Sequence, residues 1–222
     1  MFQAAIFDMD GLLIDSEPFW KESEREVFCS LGIRVTDEMT AKTASMTTAE
    51  VTRFWYDKKP WSHISMDEVE QEVIHSVGKY IIKYGSALPG VRNTIIQLKE
   101  HGLKIGLATN SPFILIPIVL RKLNLTHLFD AVTSSDEVTF AKPDPEIYTL
   151  TVQKLDVAPE KCLVFEDSTY GLKAALTAGM NTILVNGDVI SFNTGVPPTC
   201  HHIDSLEKFN FGHYCKFMTR KS

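Results

Sequence analysis

The sequence has no cysteine pair at the C-x-x-C spacing of a zinc knuckle or a dithiol centre. Its 4 cysteines, Cys29, Cys162, Cys200 and Cys215, stand far apart, which excludes that metal and redox chemistry. Cys162 opens an apolar run and reads as a small buried hydrophobe. The pattern suits a reducing compartment, so a cytoplasmic location is expected. Basic character is also scarce, with 22 Lys and Arg against 28 Asp and Glu and a net charge of −6. Without a basic stripe, nucleic acid is not an expected partner. Lys216, Arg220 and Lys221 read as a solvated tail. Long apolar runs are missing too: residues 113–120 form the longest, and Pro117 interrupts it, so no membrane helix is expected. Residues 1–11 carry no basic segment and soon meet Asp8, unlike a signal peptide. No internal repeat or low-complexity stretch is present, and a monomer is the default expectation.

What is present is a chain of 222 residues, 44% hydrophobic, enough for one domain carrying an insertion. Short continuous apolar runs read as strands buried on both faces: Ala4-Ala5-Ile6-Phe7, Ile105-Gly106-Leu107-Ala108, Ala131-Val132-Thr133, Leu163-Val164-Phe165 and Thr182-Ile183-Leu184-Val185. Helices are expected at residues 91–99, 145–155 and 169–178, closed by Gly102 and Gly179 in the first and last case. The alternation predicts an α/β doubly wound parallel sheet. The gap between Phe7 and Ile105 far exceeds one crossover of about a dozen residues. Residues 16–86 therefore read as an inserted helical cap, and residues 1–15 with 87–222 as the core. Ser65 and Glu68 have capping-box spacing. Val69, Val73, Val77, Ile81 and Tyr84 then share one helix face, and Phe19, Ser23, Val27, Phe28 and Leu31 suggest an earlier helix.

In such a sheet, ligands bind beyond the carboxyl ends of the strands. Four groups of polar residues follow the predicted strands: Asp8-Met9-Asp10-Gly11, Thr109-Asn110-Ser111, Lys142-Pro143-Asp144-Pro145 and Glu166-Asp167-Ser168. Asp8 and Asp167 offer hard oxygens of the kind Mg²⁺ takes, and a cation would keep Asp8 ionised as a nucleophile. Asp10, two residues on, falls on the same side of an extended chain and could pass a proton to a leaving group and take one from water. Phosphoryl transfer mainly needs alignment and charge stabilisation, which Lys142, the Thr109 hydroxyl and the Asn110 backbone could supply. Each group alone reads as a turn, a cap or a solvated side chain. Their order along the chain carries the signal.

These residues resemble the haloacid dehalogenase superfamily of phosphohydrolases. The run from Phe7 to Glu17 is similar to its first motif, Leu107-Ala108-Thr109-Asn110-Ser111 to its second, Lys142-Pro143-Asp144-Pro145 to its third and Phe165-Glu166-Asp167-Ser168, continued by Gly171, to its fourth. The resemblance implies a hydrolase acting through an aspartyl-phosphate on Asp8, with Asp10 as acid and base. It further implies Mg²⁺ held by Asp8, Asp167 and the Asp10 carbonyl, Glu166 behind the ligands, and phosphate bound by Thr109, Asn110 and Lys142. Within the superfamily the likeness runs to sugar- and hexitol-phosphate phosphatases with a C1-type cap, through Asp15-Ser16-Glu17-Pro18, Trp20, Trp55-Tyr56 and Pro60-Trp61. The expected partner is thus a small phosphorylated metabolite. Related β-phosphoglucomutases carry a His at the position of Trp20, so hydrolysis leads. A sugar phosphomutase, a nucleotide or pseudouridine-5′-phosphatase and, last, a non-catalytic phosphate-binding module are the alternatives. Trp20, Trp55 and Trp61 read as packing more readily than as a sugar pocket, His201-His202 as a surface loop, Asp136-Glu137 as a solvated loop, and residues 188–222 as packing or tail.

Overall fold

The computed structural model describes residues 2–43, 46–187 and 200–214. Six strands form its sheet: β1 (Ala4–Phe7), β2 (Lys104–Thr109), β3 (Ala131–Ser134), β4 (Cys162–Glu166), β5 (Asn181–Val185) and β6 (Cys200–Ile203). All neighbours pair in parallel, in the order β3-β2-β1-β4-β5-β6. The chain reverses its direction of winding at β1, so β2 and β4 flank that strand and a crevice opens beyond its carboxyl end.

Alternation along each strand divides the core into two layers. Ala5, Phe7, Ile105, Leu107, Leu163, Phe165 and Ile183 belong to one buried cluster, in which the rings of Phe7 and Phe165 stack at 4.6 Å. Ala4, Ile6, Cys162 and Val164 join the other. Helices α5 (Val91–Glu100) and α6 (Leu115–Lys122) contribute Ile95, Leu98, Leu115 and Val119 to the first layer. Helices α7 (Glu146–Leu155) and α8 (Thr169–Thr177) contribute Ile147, Tyr148, Ala174 and Ala175 to the second. A sheet covered on both faces explains why its strands read as unbroken apolar runs.

Four helices lie between β1 and α5: α1 (Glu17–Ser30), α2 (Asp37–Thr43), α3 (Thr48–Lys58) and α4 (Met66–Tyr84). Ser65 and Glu68 form the expected reciprocal cap at the start of α4, and Thr47 and Glu50 form another at α3. Val69, Val73, Val77 and Ile81 are buried, but Tyr84 is 55% exposed; in the last turn of α4 its ring stacks on Tyr80 instead. Helix α4 packs on α1, α3 and α6. A bridge between Ile14 and Ala87 and a hydrogen bond from Leu88 N to Leu13 O (3.0 Å) tie the two crossing points together. Among the described residues, no helix is long and apolar enough to cross a membrane.

One element was not foreseen, one local expectation is corrected and one is refined. Helix α6 was not anticipated because Pro117 breaks its apolar run; the proline sits in the first turn, where no intrahelical N–H bond is lost. His201 and His202 lie in edge strand β6, whose Cys-His-His-Ile sequence lacks an apolar run, and Phe209, Phe211 and Tyr214 beyond it are buried. Asp136 and Glu137 form a 3₁₀ turn: Asp136 accepts from Phe113 N (2.8 Å) and Glu137 pairs with Lys154 (2.6 Å). Lys216, Arg220, Lys221 and most of the C-terminal segment expected as packing or tail lie outside the described residues.

Candidate active site

Asp8 leaves the end of β1 with its backbone N–H donated to Phe165 O of β4 (3.1 Å), which places its carboxylate in the crevice at the reversal point. It is 7% exposed. Lys142 comes in from the loop after β3, itself buried. Its ammonium donates to Asp8 Oδ1 (2.6 Å), Glu166 Oε1 (2.5 Å) and Ala108 O (2.9 Å). Those bonds occupy all the protons an ammonium has. Asn110 fixes the loop: its Oδ1 accepts from Lys142 N (2.9 Å) and its Nδ2 donates to Lys142 O (3.2 Å).

Glu166, the last residue of β4, is fully buried. Its Oε1 also accepts from the Tyr148 hydroxyl of α7, and its Oε2 from Ser168 Oγ (3.1 Å). A Cβ at Gly171, the third residue of α8, would collide with this carboxylate, so that position leaves room for no larger residue without moving Glu166. The next residue, Asp167, faces the crevice beside Gly11.

Asp10 belongs to a different hydrogen-bond set. Its Oδ1 accepts from Ser16 Oγ and from the Trp20 indole Nε1 (3.2 Å), and its Oδ2 from Ser111 Oγ (2.7 Å) and Thr109 Oγ1 (3.3 Å). One carboxylate is thereby held from both the sheet and the inserted helices. Asp8, Asp10, Thr109, Asn110, Lys142 and Asp167 form one wall of a cavity of about 410 Å³. Trp20, Lys21, Glu24, Thr40, Met46 and Thr48 of the inserted segment form the facing wall.

The electrostatics call for a cation. Burial pushes the Asp8 carboxyl well above its usual range; Lys142 opposes this, while Glu166, Asp167 and Asp10 add to it. Burial, then Glu166, drives Asp167 up to about 7. Burial works against the charge on Lys142, yet Asp8 and Glu166 outweigh it and raise its pKa. Tyr148 is also raised, by burial and then by Glu166, so it remains a phenol able to donate. One ammonium cannot balance these carboxylates. Oxygens of Asp8, Glu166 and Asp167 lie within 4.8 Å of one another; Glu166 is engaged by Lys142, Tyr148 and Ser168, which leaves Asp8 and Asp167 as the hard oxygens that fit a divalent cation. The Asp10 side chain is not in that group, since its oxygens face Ser16, Trp20, Thr109 and Ser111 instead.

The structure thus brings Asp8, Asp10, Thr109, Asn110, Lys142 and Asp167 to one crevice, with Glu166 buried behind Lys142. Sequence reasoning passed over Tyr148, which looks like any aromatic on a core-facing helix. It also passed over the Ser111 hydroxyl, although Ser111 sat inside a recognised motif, and Glu24. Trp20 was read as packing, as Trp55 and Trp61 indeed are, at 0% and 7% exposure.

A parallel sheet that presents a buried aspartate, a lysine and two further carboxylates at its winding reversal is the frame of a phosphohydrolase-type enzyme. The chain belongs to the haloacid dehalogenase-like hydrolase family, whose pattern matches residues 5–185. It is 39% identical to hexitol phosphatase B of Escherichia coli over 183 residues, 82% of each chain. It is 35% identical to the phosphorylated carbohydrates phosphatase of Thermotoga maritima over 193 residues, 87% of this chain and 88% of that one. Among solved structures, β-phosphoglucomutase from Clostridium difficile superposes with a TM-score of 0.85 at 23% identity, covering 100% of this chain and 99% of that one, a likeness of fold.

Proposed function

We propose that this enzyme is a magnesium-dependent, cytoplasmic phosphatase of small phosphate monoesters, sugar or sugar-alcohol phosphates in particular, working through an aspartyl-phosphate on Asp8. The observation that carries this reading is the buried Asp8 carboxylate, held on Oδ1 by Lys142 and facing a cavity it shares with Asp10 and Asp167. The names of the two curated relatives support the substrate class. Trp20, standing where the mutases carry His, supports release to water over return to a second hydroxyl.

In this reading, Asp8 attacks the phosphorus while the bond to the leaving oxygen breaks, and Asp10 gives its proton to that oxygen. Asp10 then takes a proton from water, which attacks the phosphorus of the acyl phosphate and frees inorganic phosphate and the Asp8 carboxylate. Mg²⁺ held by Asp8, Asp167 and the Asp10 carbonyl would supply charge neutralisation on the phosphoryl oxygens. Lys142 contributes positive charge at Asp8. Because its protons are all engaged, it turns to a phosphoryl oxygen only when phosphorylation removes charge from Asp8. Thr109 and the Asn110 backbone complete the phosphate contacts, with the Asn110 side chain locking the Lys142 loop. Glu166 holds Lys142 in place. Residues 16–86 act as a cap over a core of residues 1–15 and 87–222, shedding water from the reacting centre and choosing the leaving group.

Phosphate release with Mg²⁺ from sugar phosphates, hexitol phosphates and mononucleotides tests the reading. Asp8→Asn should abolish turnover with the fold retained, and chelation by EDTA should silence the wild type until Mg²⁺ is restored. Activity in Asp8→Asn would exclude the covalent route. Conversion of one sugar phosphate into another without phosphate release would replace hydrolysis by mutase chemistry.

A further inference from the structure

Every other carboxylate on α1 has a partner. Glu17 pairs with Lys21 (2.5 Å) and Glu22 with Arg25 (3.7 Å), while Glu26 accepts from the Tyr80 hydroxyl (2.7 Å). Glu24 has none among the described residues. It is nevertheless half-buried, it lines the cavity, and burial alone pushes its carboxyl up to about 7. Partly withdrawing a carboxylate from water without a partner is costly, and no group among the described residues offsets that cost.

Its position says what could. Glu24 follows Trp20 by four residues, so the two share a helix face, with Glu24 about 6 Å further along the axis. Trp20 touches Asp10, the residue beside the bond to be broken. Glu24 therefore faces the part of a bound monoester that lies several atoms beyond the phosphoryl group. The same cavity is lined by Thr40, Thr43 and Thr48 and by the apolar side chain of Met46. The charges on this wall are one-sided: Asp15, Glu17 and Glu24 line it, and Lys21, the lysine it carries, is bridged to Glu17.

We propose that Glu24 is the specificity-determining residue for the leaving group, accepting hydrogen bonds from the hydroxyls of a neutral polyol and turning away a leaving group that carries a second anion. The proposal rests on the phosphatase reading and deepens it. Above about pH 7, where Glu24 is ionised, its carboxylate is an acceptor only, so it rewards hydroxyl donors. In a partly dry site it repels phosphate or carboxylate.

Three substrates separate the possibilities: sorbitol 6-phosphate, phenyl phosphate, which has no hydroxyls, and fructose 1,6-bisphosphate, which has the second anion. Glu24→Ala should lower kcat/KM for sorbitol 6-phosphate by about 10- to 100-fold, the range for a hydrogen bond to a charged group. Its loss on phenyl phosphate should be several-fold smaller, and the preference for sorbitol 6-phosphate over the bisphosphate should narrow. Glu24→Gln, whose amide oxygen still accepts, should recover part of the polyol turnover without recovering discrimination against the bisphosphate. Equal losses on sorbitol 6-phosphate and phenyl phosphate, or no loss, would overturn the assignment. If the wild type releases phosphate from none of the three, the phosphatase reading falls. Calorimetric binding of sorbitol 6-phosphate to wild type and Glu24→Ala then decides Glu24 by itself: weaker binding to the variant supports it, and equal binding rejects it.

Discussion

Asp10 shows how much one side chain's partners constrain its chemistry. Of its four donors, Ser16, Thr109 and Ser111 are hydroxyls, which can rotate and accept when a proton arrives; the Trp20 indole can only donate. The Trp20 indole therefore favours an unprotonated Oδ1. Trp20→Phe keeps most of the ring and loses that preference, so kcat should fall by about tenfold, as for loss of a hydrogen bond to a charged group, with KM changed less. A rise in KM at constant kcat would make Trp20 a binding residue only. Asp167 carries a second prediction. Its folded pKa is raised to about 7 by burial and then Glu166, so the metal-free protein binds protons that the unfolded chain has lost. That stabilisation is full below the unfolded aspartate value and disappears as pH rises through about 7. Mg²⁺ competes with the same protons. Its increment in Tm should be clearly larger at pH 8 than at pH 5.5, and an equal increment at both would remove Asp167 from the metal set.

At the scale of elements, α8 places the glycine whose absent side chain makes room for Glu166. Alanine at position 171 would favour the helix by roughly 1 kcal/mol. The added Cβ would, however, meet a carboxylate pinned by Lys142, Tyr148 and Ser168, and the displaced network outweighs the propensity. Gly171→Ala should lower Tm and cut kcat by at least tenfold; a gain in Tm with full activity would show that Glu166 is free to move. Gly171 was visible in the sequence only as a continuation of the fourth motif. The collision that explains it needs the helix and strand side by side. The same limit recurs elsewhere. Strands β1 to β5 were legible because burial on both faces leaves unbroken apolar runs, and α4 because Ser65 and Glu68 announce it. Helix α6 and strand β6 were not, since Pro117 and a pair of histidines break local patterns that tertiary packing overrides. Asp8, Asp10, Lys142 and Asp167 were legible from their order after the strands. Tyr148 and Glu24 carry no such order, and only contacts or their absence single them out.

Across the whole molecule, one buried apolar cluster runs without interruption from Trp55, Val77 and Ile81 of the inserted helices to Leu115, Leu107 and Phe7 of the sheet layer. Within it, Gly78 lets α4 approach α6 closely, a Cβ there lying 3.3 Å from Ile118 Cδ1 and 3.6 Å from Leu115 Cδ2. Excising the helices would strip that face, so closure over a substrate is better followed in the intact chain. The chain crosses twice at the Ile14–Ala87 bridge, where the proposed cap would pivot, and the Trp20–Asp10 bond joins the inserted helices to the sheet side. Beryllofluoride with Mg²⁺, a mimic of the phosphorylated aspartate, should draw the cap wall toward Asp8 and change the surroundings of the Trp20 ring. Trp55 and Trp61 are packed inside the helices and should report little. Intrinsic fluorescence should therefore shift on adding beryllofluoride and Mg²⁺ together, shift far less with either alone, and lose the response in Trp20→Phe. An unchanged spectrum in the wild type would mean a cap that does not move, and an equal response in Trp20→Phe would place the motion away from the Asp10 contact.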